Sequence, residues 1–313
     1  MEFEYLSQYF KNRLSVGFLQ DRVAIENANE AKNRLRAEKL SGLKKLTSRH
    51  FLIEWILKLS GAYWLGARSA RRIQKKLNVF NSPRVPPAFD GYTILHLSDL
   101  HADISEPAME FLCDQIRSET CDLCVMTGDY RGKTWGQFDD ALKIMGRIGR
   151  ALHCPVYAVL GNHDSIEMVP SLEAMGIKVL LNETVSLERG EAKLHLAGVD
   201  DAHFFGLHDL KAVLPPTTPN TFSILLSHTP ELYGEAADAN FDVMLSGHTH
   251  AGQICLPGGI PLRLDCNVPR RMGAGRWQHG KLSGYTSAGA GTSIVPVRLN
   301  CRPEITLHRL AKA

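Results

Sequence analysis

Between residues 92 and 250, five short apolar runs break off in the same way, into Asp, Asn or His. YTILHLS runs into Asp99 and His101, LCVMTG into Asp129, and VYAVLG into Asn162, His163 and Asp164. FSILLS then ends at His228, and FDVMLSG at His248 and His250. Runs of this length, rich in β-branched residues and bounded by glycine, read as buried strands. Helix-compatible stretches near 106–117, 137–150 and 165–175 follow the first three. Such alternation builds a largely parallel sheet. Ligands of open α/β sheets sit beyond the carboxyl ends of the strands, where loops distant in sequence share one rim. The chain is therefore constrained to an α/β fold in which these polar residues converge.

From about residue 177 the strand-like runs crowd together (IKVLLN, TVSLER, KLHLAGV), which predicts a second, mixed sheet. The tail segments GQICL, LSGYTS and EITLHRL again read as β. The N-terminal part differs. Residues 21–46 lack proline and are rich in good helix formers. In FLIEWILKLSGAYWLG, residues 51–66, Phe51, Leu52, Trp55, Ile56, Leu59 and Tyr63 recur at helical spacing. Arg68, Arg71, Arg72, Lys75 and Lys76 follow, and Pro83, Pro86 and Pro87 mark a linker. Residues 1–88 are thus expected to form a basic amphipathic helical arm, and residues 89–313 one domain that keeps its site when the arm is removed.

Charge follows the same division. Residues 1–90 carry 17 Lys and Arg against 8 Asp and Glu, whereas the rest carries 19 against 25. A basic arm on an acidic body calls for an anionic partner, and its apolar face with basic flanks suits an anionic membrane surface. Packing on the body or on a second subunit is the plainer alternative. Seven scattered cysteines cannot all pair, which favours a reducing compartment. The start, MEFEYLSQYF, lacks a signal-peptide pattern, and no apolar run is long enough to span a membrane. The expected location is cytoplasmic, peripheral on the inner face of the membrane.

The polar set at the strand ends is a nitrogen and oxygen donor set without thiolate, suited to Mn, Fe or Zn. One Asp-x-His after a strand is usually a cap or turn; five such endings in order are not. Arg131 and Lys133 follow Asp129 closely enough to meet a substrate phosphate. His203 and His208, in DAHFFGLHDL, lie on a candidate loop above the site. His96 alternates within its strand and reads as a core histidine. Cys121 and Cys124, three residues apart on a strand, face opposite sides and read as core cysteines. There is no GxGxxG or P-loop pattern for nucleotide binding.

Asp99-x-His101, Gly128-Asp129, Gly161-Asn162-His163-Asp164, Ser227-His228 and Gly247-His248-Thr249-His250 resemble the signature of the calcineurin-like metallophosphoesterase superfamily. The resemblance covers residues 90–310 and leaves the arm outside. GHTHAGQICLP and GTSIVPVRLNCRPEITL are similar to its bacterial YkuE/YaeI-type branch, which includes enzymes cleaving UDP-2,3-diacylglucosamine in lipid A synthesis. The resemblance implies a two-sheet α/β sandwich flanked by helices. It implies two divalent ions, Mn2+ first and Fe or Zn as alternatives, one held by Asp99, His101, Asp129 and His250. The other would be held by Asp129, Asn162, His228 and His248. His163 would stabilise the phosphoryl oxygens or protonate the leaving group, and Asp164 would orient its imidazole. Two contrasts stand out: the superfamily's GDxxD ends here in Gly132, and another lipid A pyrophosphatase branch has Arg in place of His163.

Three functions follow. The first is a membrane-surface hydrolase of a lipid-linked pyrophosphate such as UDP-2,3-diacylglucosamine. The second is a soluble phosphodiesterase of nucleotides or nucleic acid, with the arm holding the polyanion. The third, a binding scaffold on an inactive fold, is disfavoured because every ligand and His163 are present.

Overall fold

The computed structural model describes residues 3–39, 49–216 and 221–313. Its N-terminal part holds helices α1 (Phe3–Tyr9), α2 (Val16–Lys39), α3 (Arg49–Leu59) and α4 (Ala62–Ala70), then strand β1 (Gln74–Ser82). The expected alternation follows as β2 (Thr93–Leu97), α5 (Glu106–Arg117), β3 (Leu123–Thr127), α6 (Asp139–Ala151), β4 (Val156–Val159), α7 (Val169–Ala174) and β5 (Ile177–Val179). Next come β6 (Glu183–Arg189), β7 (Ala192–Gly198), β8 (Thr221–Leu226), α8 (Tyr233–Asp238) and β9 (Val243–Ser246). The chain closes with the short pair β10 (Cys255–Leu256) and β11 (Ile260–Pro261), then β12 (Gly275–His279), β13 (Leu282–Thr286) and β14 (Glu304–Lys312).

Among the described residues, two six-stranded sheets run in the orders β1-β14-β2-β3-β4-β5 and β12-β13-β9-β8-β7-β6. The first is parallel except at β14–β2, and the second is parallel from β7 through β13 with antiparallel edges. Strands buried on both faces explain the unbroken apolar runs in β3, β8 and β9. Ile94, Val125, Val159, Leu196, Ile224 and Leu245 fill the space between the sheets. Helices α5, α6 and α7 cover the outer face of the first sheet, and α8 that of the second. The α/β sandwich expected from the sequence is present. One strand changes sides: Ile177–Val179, expected in the mixed sheet, pairs with β4 in the first, so the second begins at β6.

The arm is where expectation and structure part. Its C-terminal portion is strand β1, paired in parallel with β14 from Gln74↔Glu304 to Ser82↔Lys312. Residue 88 is therefore no boundary. Its N-terminal portion is also built in: Leu6, Phe10 and Leu19 are buried in the core beside α5 and α7 residues. Arg13 pairs with Glu173 on α7 at 2.9 Å and with Glu183 on β6 at 2.7 Å. Lys75 and Lys76, counted as free basic flank, are engaged with Glu119 (2.9 Å) and Glu304 (2.6 Å). The single helix expected over 51–66 is two, broken where Gly61 takes φ 73°. The side chains of Phe51 and Leu52, like residues 40–46 of the expected first helix, lie outside the described residues. No described helix is long and apolar enough to cross a membrane.

Candidate metal centre

Both sheets deliver residues to one rim. Asp99 and His101 follow β2, Asp129 follows β3, Asn162 follows β4, His228 follows β8, and His248 and His250 follow β9. The turns force left-handed backbone on several: φ is 50° at Asp99, 40° at His101, 61° at Asp129, 71° at His248 and 49° at His250. Such conformations cost about 1–3 kcal/mol each and persist where the surroundings over-determine them. Here the loops hold one another. The Asp99 N–H donates to the Gly128 carbonyl (3.0 Å), the His101 N–H to the Asp129 carbonyl (3.0 Å), and the His248 N–H to the Asp99 carboxylate (3.0 Å). Their closeness needs glycine: a Cβ on Gly161 would strike the Asp129 carboxylate, and one on Gly247 the Ser98 hydroxyl.

The ring nitrogens show what the cluster is built to hold. His228 Nδ1–H donates to the Thr127 carbonyl (2.7 Å) and His248 Nε2–H to the Asp265 carbonyl (2.7 Å). The other nitrogens of these rings, His228 Nε2 and His248 Nδ1, then face each other at 3.1 Å. Asn162 Oδ1 is 3.0 Å from His228 Nε2, and Asp129 Oδ1 is 3.4 Å from it. Beyond Asp129, His101 Nδ1–H donates to the Arg131 carbonyl (2.9 Å), leaving its Nε2 bare, 3.0 Å from His250 Nε2 and 3.6 Å from Asp129 Oδ2. His250 Nε2 lies 3.5 Å from Asp99 Oδ1.

Acceptors crowded against acceptors in a buried place are unfavourable unless a proton or cation lies among them. The ligand atoms of Asp99, His101, Asp129 and His250 lie within 4.8 Å of one another, as do those of Asp129, His228 and His248. The donor chemistry of both groups suits divalent cations, and Asp129 belongs to both. The residues fit.

Protonation agrees with this use. Burial holds His101 at about 3 and His248 at about 4, so both rings are neutral at pH 7 and offer lone pairs. Asp99 is pushed up to about 6 by burial, with the charge of Asp129 adding to it. Burial also opposes the charge of Asp129, but His228 and His163 outweigh it and hold the carboxyl well below its usual range. Burial likewise opposes a proton on His228, yet Asp129 raises that ring well above the histidine range.

Around the cluster the candidates separate. His163 stands at the open edge, its side chain 16% exposed and its Nε2 3.9 Å from Asp129 Oδ2. Asp164 does not orient that ring. The His163 Nδ1 faces the Gly132 carbonyl at 2.8 Å. The Asp164 carboxylate instead accepts the backbone N–H groups of Asp129 (2.7 Å), Tyr130 (2.8 Å) and Gly161 (2.9 Å), because the loop after β3 turns its amides toward it. Gly132, where the superfamily often has a carboxylate, donates its own N–H to Asp103 Oδ1 at 2.6 Å.

Arg131 is buried, with two of its three guanidinium nitrogens engaged by the loop. Its guanidinium donates to the carbonyls of His163 (2.5 Å) and Gly136 (2.8 Å), bracing the loop. Lys133 is exposed, with its ammonium 5.9 Å from the Trp135 ring. His203 does reach the centre, its ring centroid 4.5 Å from that of His248 and its Nδ1 2.9 Å from Glu231 Oε2. His208 pairs with Glu235 at 3.8 Å instead. His96 is buried against Thr127 Oγ1 (2.8 Å) and His308 (3.3 Å), and Cys124 is buried in the core while the Cys121 thiol meets that of Cys154.

Two buried arginines support the rim from outside the strand ends. Arg298 Nη1 donates to the His250 carbonyl (2.7 Å), and its Nη2 to the carbonyls of Ala288 and Gly291 (2.7 Å each). Its motif, VPVRLNCRPE, is visible in the sequence, but nothing there assigns it a role. Arg22 on α2 donates to Asp200 at 2.9 Å and to Glu26 at 2.5 Å. Glu26 in turn accepts from Ser165 Oγ (2.5 Å) and from the Ile166 N–H (2.8 Å), immediately beyond the Asn162–Asp164 loop. No sequence signal marks Arg22, because its partner lies far along the chain.

Fold and rim together define a metal-dependent hydrolase of phosphoric esters, and the chain belongs to the calcineurin-like phosphoesterase family. The family model, calcineurin-like phosphoesterase, matches residues 92–252, just over half of the chain. Relatives extend further. The metallophosphoesterase YkuE of Bacillus subtilis is 29% identical over 293 residues, spanning 86% of this chain and 99% of its own length. YkoQ of the same organism is 29% identical over 239 residues, 72% of this chain and 85% of its own length. The phosphodiesterase YaeI of Escherichia coli is 29% identical over 256 residues, 76% of this chain and 87% of its own length.

Proposed function

We propose that the chain hydrolyses a phosphoric ester or anhydride of a lipid-linked substrate at a membrane surface, UDP-2,3-diacylglucosamine being the first compound to test. The hydrolase part rests on one observation: ring nitrogens and carboxylate oxygens converge in one buried cluster, where divalent cations could take the place of the protons that keep them together. Asp99, His101, Asp129 and His250 would hold one ion, and Asp129, Asn162, His228 and His248 the other. Two ions there would activate a water as nucleophile and neutralise charge on the phosphoryl oxygens.

The remaining steps belong to the chain. The Gly132 carbonyl fixes the His163 ring through Nδ1 and leaves Nε2 on the open edge, where it can hold a proton and pass it to the leaving oxygen. Asp164 keeps Asp129 in place by accepting the amides of its loop. His203, backed by Glu231, stands beside His248 where a substrate would enter.

The surface part rests on α3 and α4. Leu57 packs on Val295 and Val297, while Ile56, Leu59, Trp64 and Leu65 are exposed, the last three at 72–80%. Arg68, Arg71 and Arg72 continue the same segment and are exposed as well. Apolar side chains flanked by cations suit anionic lipid. The test is a hydrolysis panel of full-length protein with Mn2+, comparing UDP-2,3-diacylglucosamine, cyclic nucleotides and bis(p-nitrophenyl) phosphate. Preferred cleavage of the lipid supports the reading; cleavage of cyclic nucleotides without the lipid moves the soluble phosphodiesterase ahead.

A further inference from the structure

A cavity of about 550 Å³ lies between α4 and the turn that carries His101. Small-molecule sites span about 300–1,000 Å³, so it is large enough for an organic ligand. Its walls are Tyr63 and Trp64 on α4, Leu100 next to His101, Met109 on α5, and Pro296. Leu100 and Met109 are buried, whereas Trp64 is 72% exposed, so the cavity grades from an apolar floor to an open aromatic edge. Arg68, Arg71 and Arg72 also line it, and among the described residues no Asp or Glu does. Among the lining residues, Thr292, only 3% exposed and beside Gly291, has a buried hydroxyl with no protein partner. A buried hydroxyl without a partner costs free energy until something bonds to it.

We infer that this cavity binds an alkyl or acyl chain carrying an anionic group, the chain along Tyr63, Trp64 and Pro296 over a floor closed by Leu100 and Met109, and the charge at the arginines. The inference rests on the phosphoesterase reading for its biological sense and deepens it, by placing the apolar part of the substrate next to His101. The floor closed by Leu100 and Met109 offers no side-chain polar group to the edge of a nucleobase, which favours a chain over a nucleotide there. Trp64 and Leu65 extend the apolar path outward, so a chain entering here would come from the surface that α3 and α4 present.

The test uses full-length protein and three inhibitors of bis(p-nitrophenyl) phosphate hydrolysis: inorganic phosphate, butyl phosphate and dodecyl phosphate below its micelle concentration. Calorimetry of the same compounds on metal-free protein provides a second readout that does not need turnover. Burial of added methylenes predicts dodecyl phosphate binding at least about tenfold tighter than butyl phosphate. Ala67→Phe, which narrows the cavity from α4, should remove that difference without changing hydrolysis of the small ester. Trp64→Ala, at an exposed position that folding tolerates, should weaken it about threefold or more. Equal binding of the two alkyl phosphates, or a chain-length effect untouched in both variants, overturns the inference. So does uridine monophosphate binding that Trp64→Ala abolishes, since the cavity would then be a nucleotide site. Failure to hydrolyse any ester with any metal would instead strike the phosphoesterase reading, leaving calorimetry to judge the cavity.

Discussion

At the scale of single residues, proton positions divide the site into holders and an actor. His101, His228 and His248 each donate one ring N–H to a backbone carbonyl and turn the other nitrogen inward. His163 does the same with Gly132, but from the open edge. His163→Ala should therefore keep its metal content yet lower kcat by roughly 10²–10⁴, the range for losing a general acid. Metal loss in that variant, measured by elemental analysis, would make His163 a ligand. Uptake of metal should also depend on pH. His228 carries a proton above its usual range and Asp99 gains one as pH falls through about 6, so cations must displace protons. Affinity is expected to fall already as pH drops through neutrality, more steeply below about pH 6, and titration calorimetry in buffers of different ionisation enthalpy should record proton release at pH 7. The clustering of these residues was legible in the sequence because each follows a buried strand. The role of Asp164 was not, since adjacency to His163 in sequence says nothing of which amides the loop after β3 would present to its carboxylate.

At the scale of elements, periodicity located the strands and helices from β2 to α7, because strands buried on both faces leave runs too apolar to mistake; it did not mark α8. It failed at edges. β1 reads QKKLNVFNS, with alternating exposure along most of its length, and its basic residues suggested a solvated arm instead of an edge strand. The partner that makes it a strand, β14, lies at the far end of the chain, and nothing local encodes that pairing. Similarly, α1 and α2 contribute only a few buried side chains, which a mostly polar helix conceals. A chain beginning at residue 88 should accordingly not survive as a native domain. It loses an edge strand, buried Leu6, Phe10 and Leu19, and the Arg22–Asp200 pair, whose removal leaves Asp200 buried and unpaired. Circular dichroism of that truncated chain should show a broad thermal transition or none; a sharp, native-like melt would show that the N-terminal segment is dispensable.

At the scale of the molecule, one face carries the rim of Asp and His residues, and α4, which follows the exposed α3, borders a cavity that reaches His101. If that border meets lipid, the full chain should cosediment with vesicles containing anionic lipid and come off partly at high salt. Leu59→Ser with Trp64→Ser should release it at any salt; concentration-dependent dimerisation without vesicle binding would instead assign the surface to a second copy. The central claim, however, is the paired cation site bridged by Asp129. Its most direct measurement is the metal content of full-length protein equilibrated with excess Mn2+ and freed of unbound ions, for the wild type and for Asp129→Ala. The account predicts about two ions per chain in the wild type and close to none in the variant. One ion or fewer in the wild type, or undiminished binding without Asp129, would contradict it.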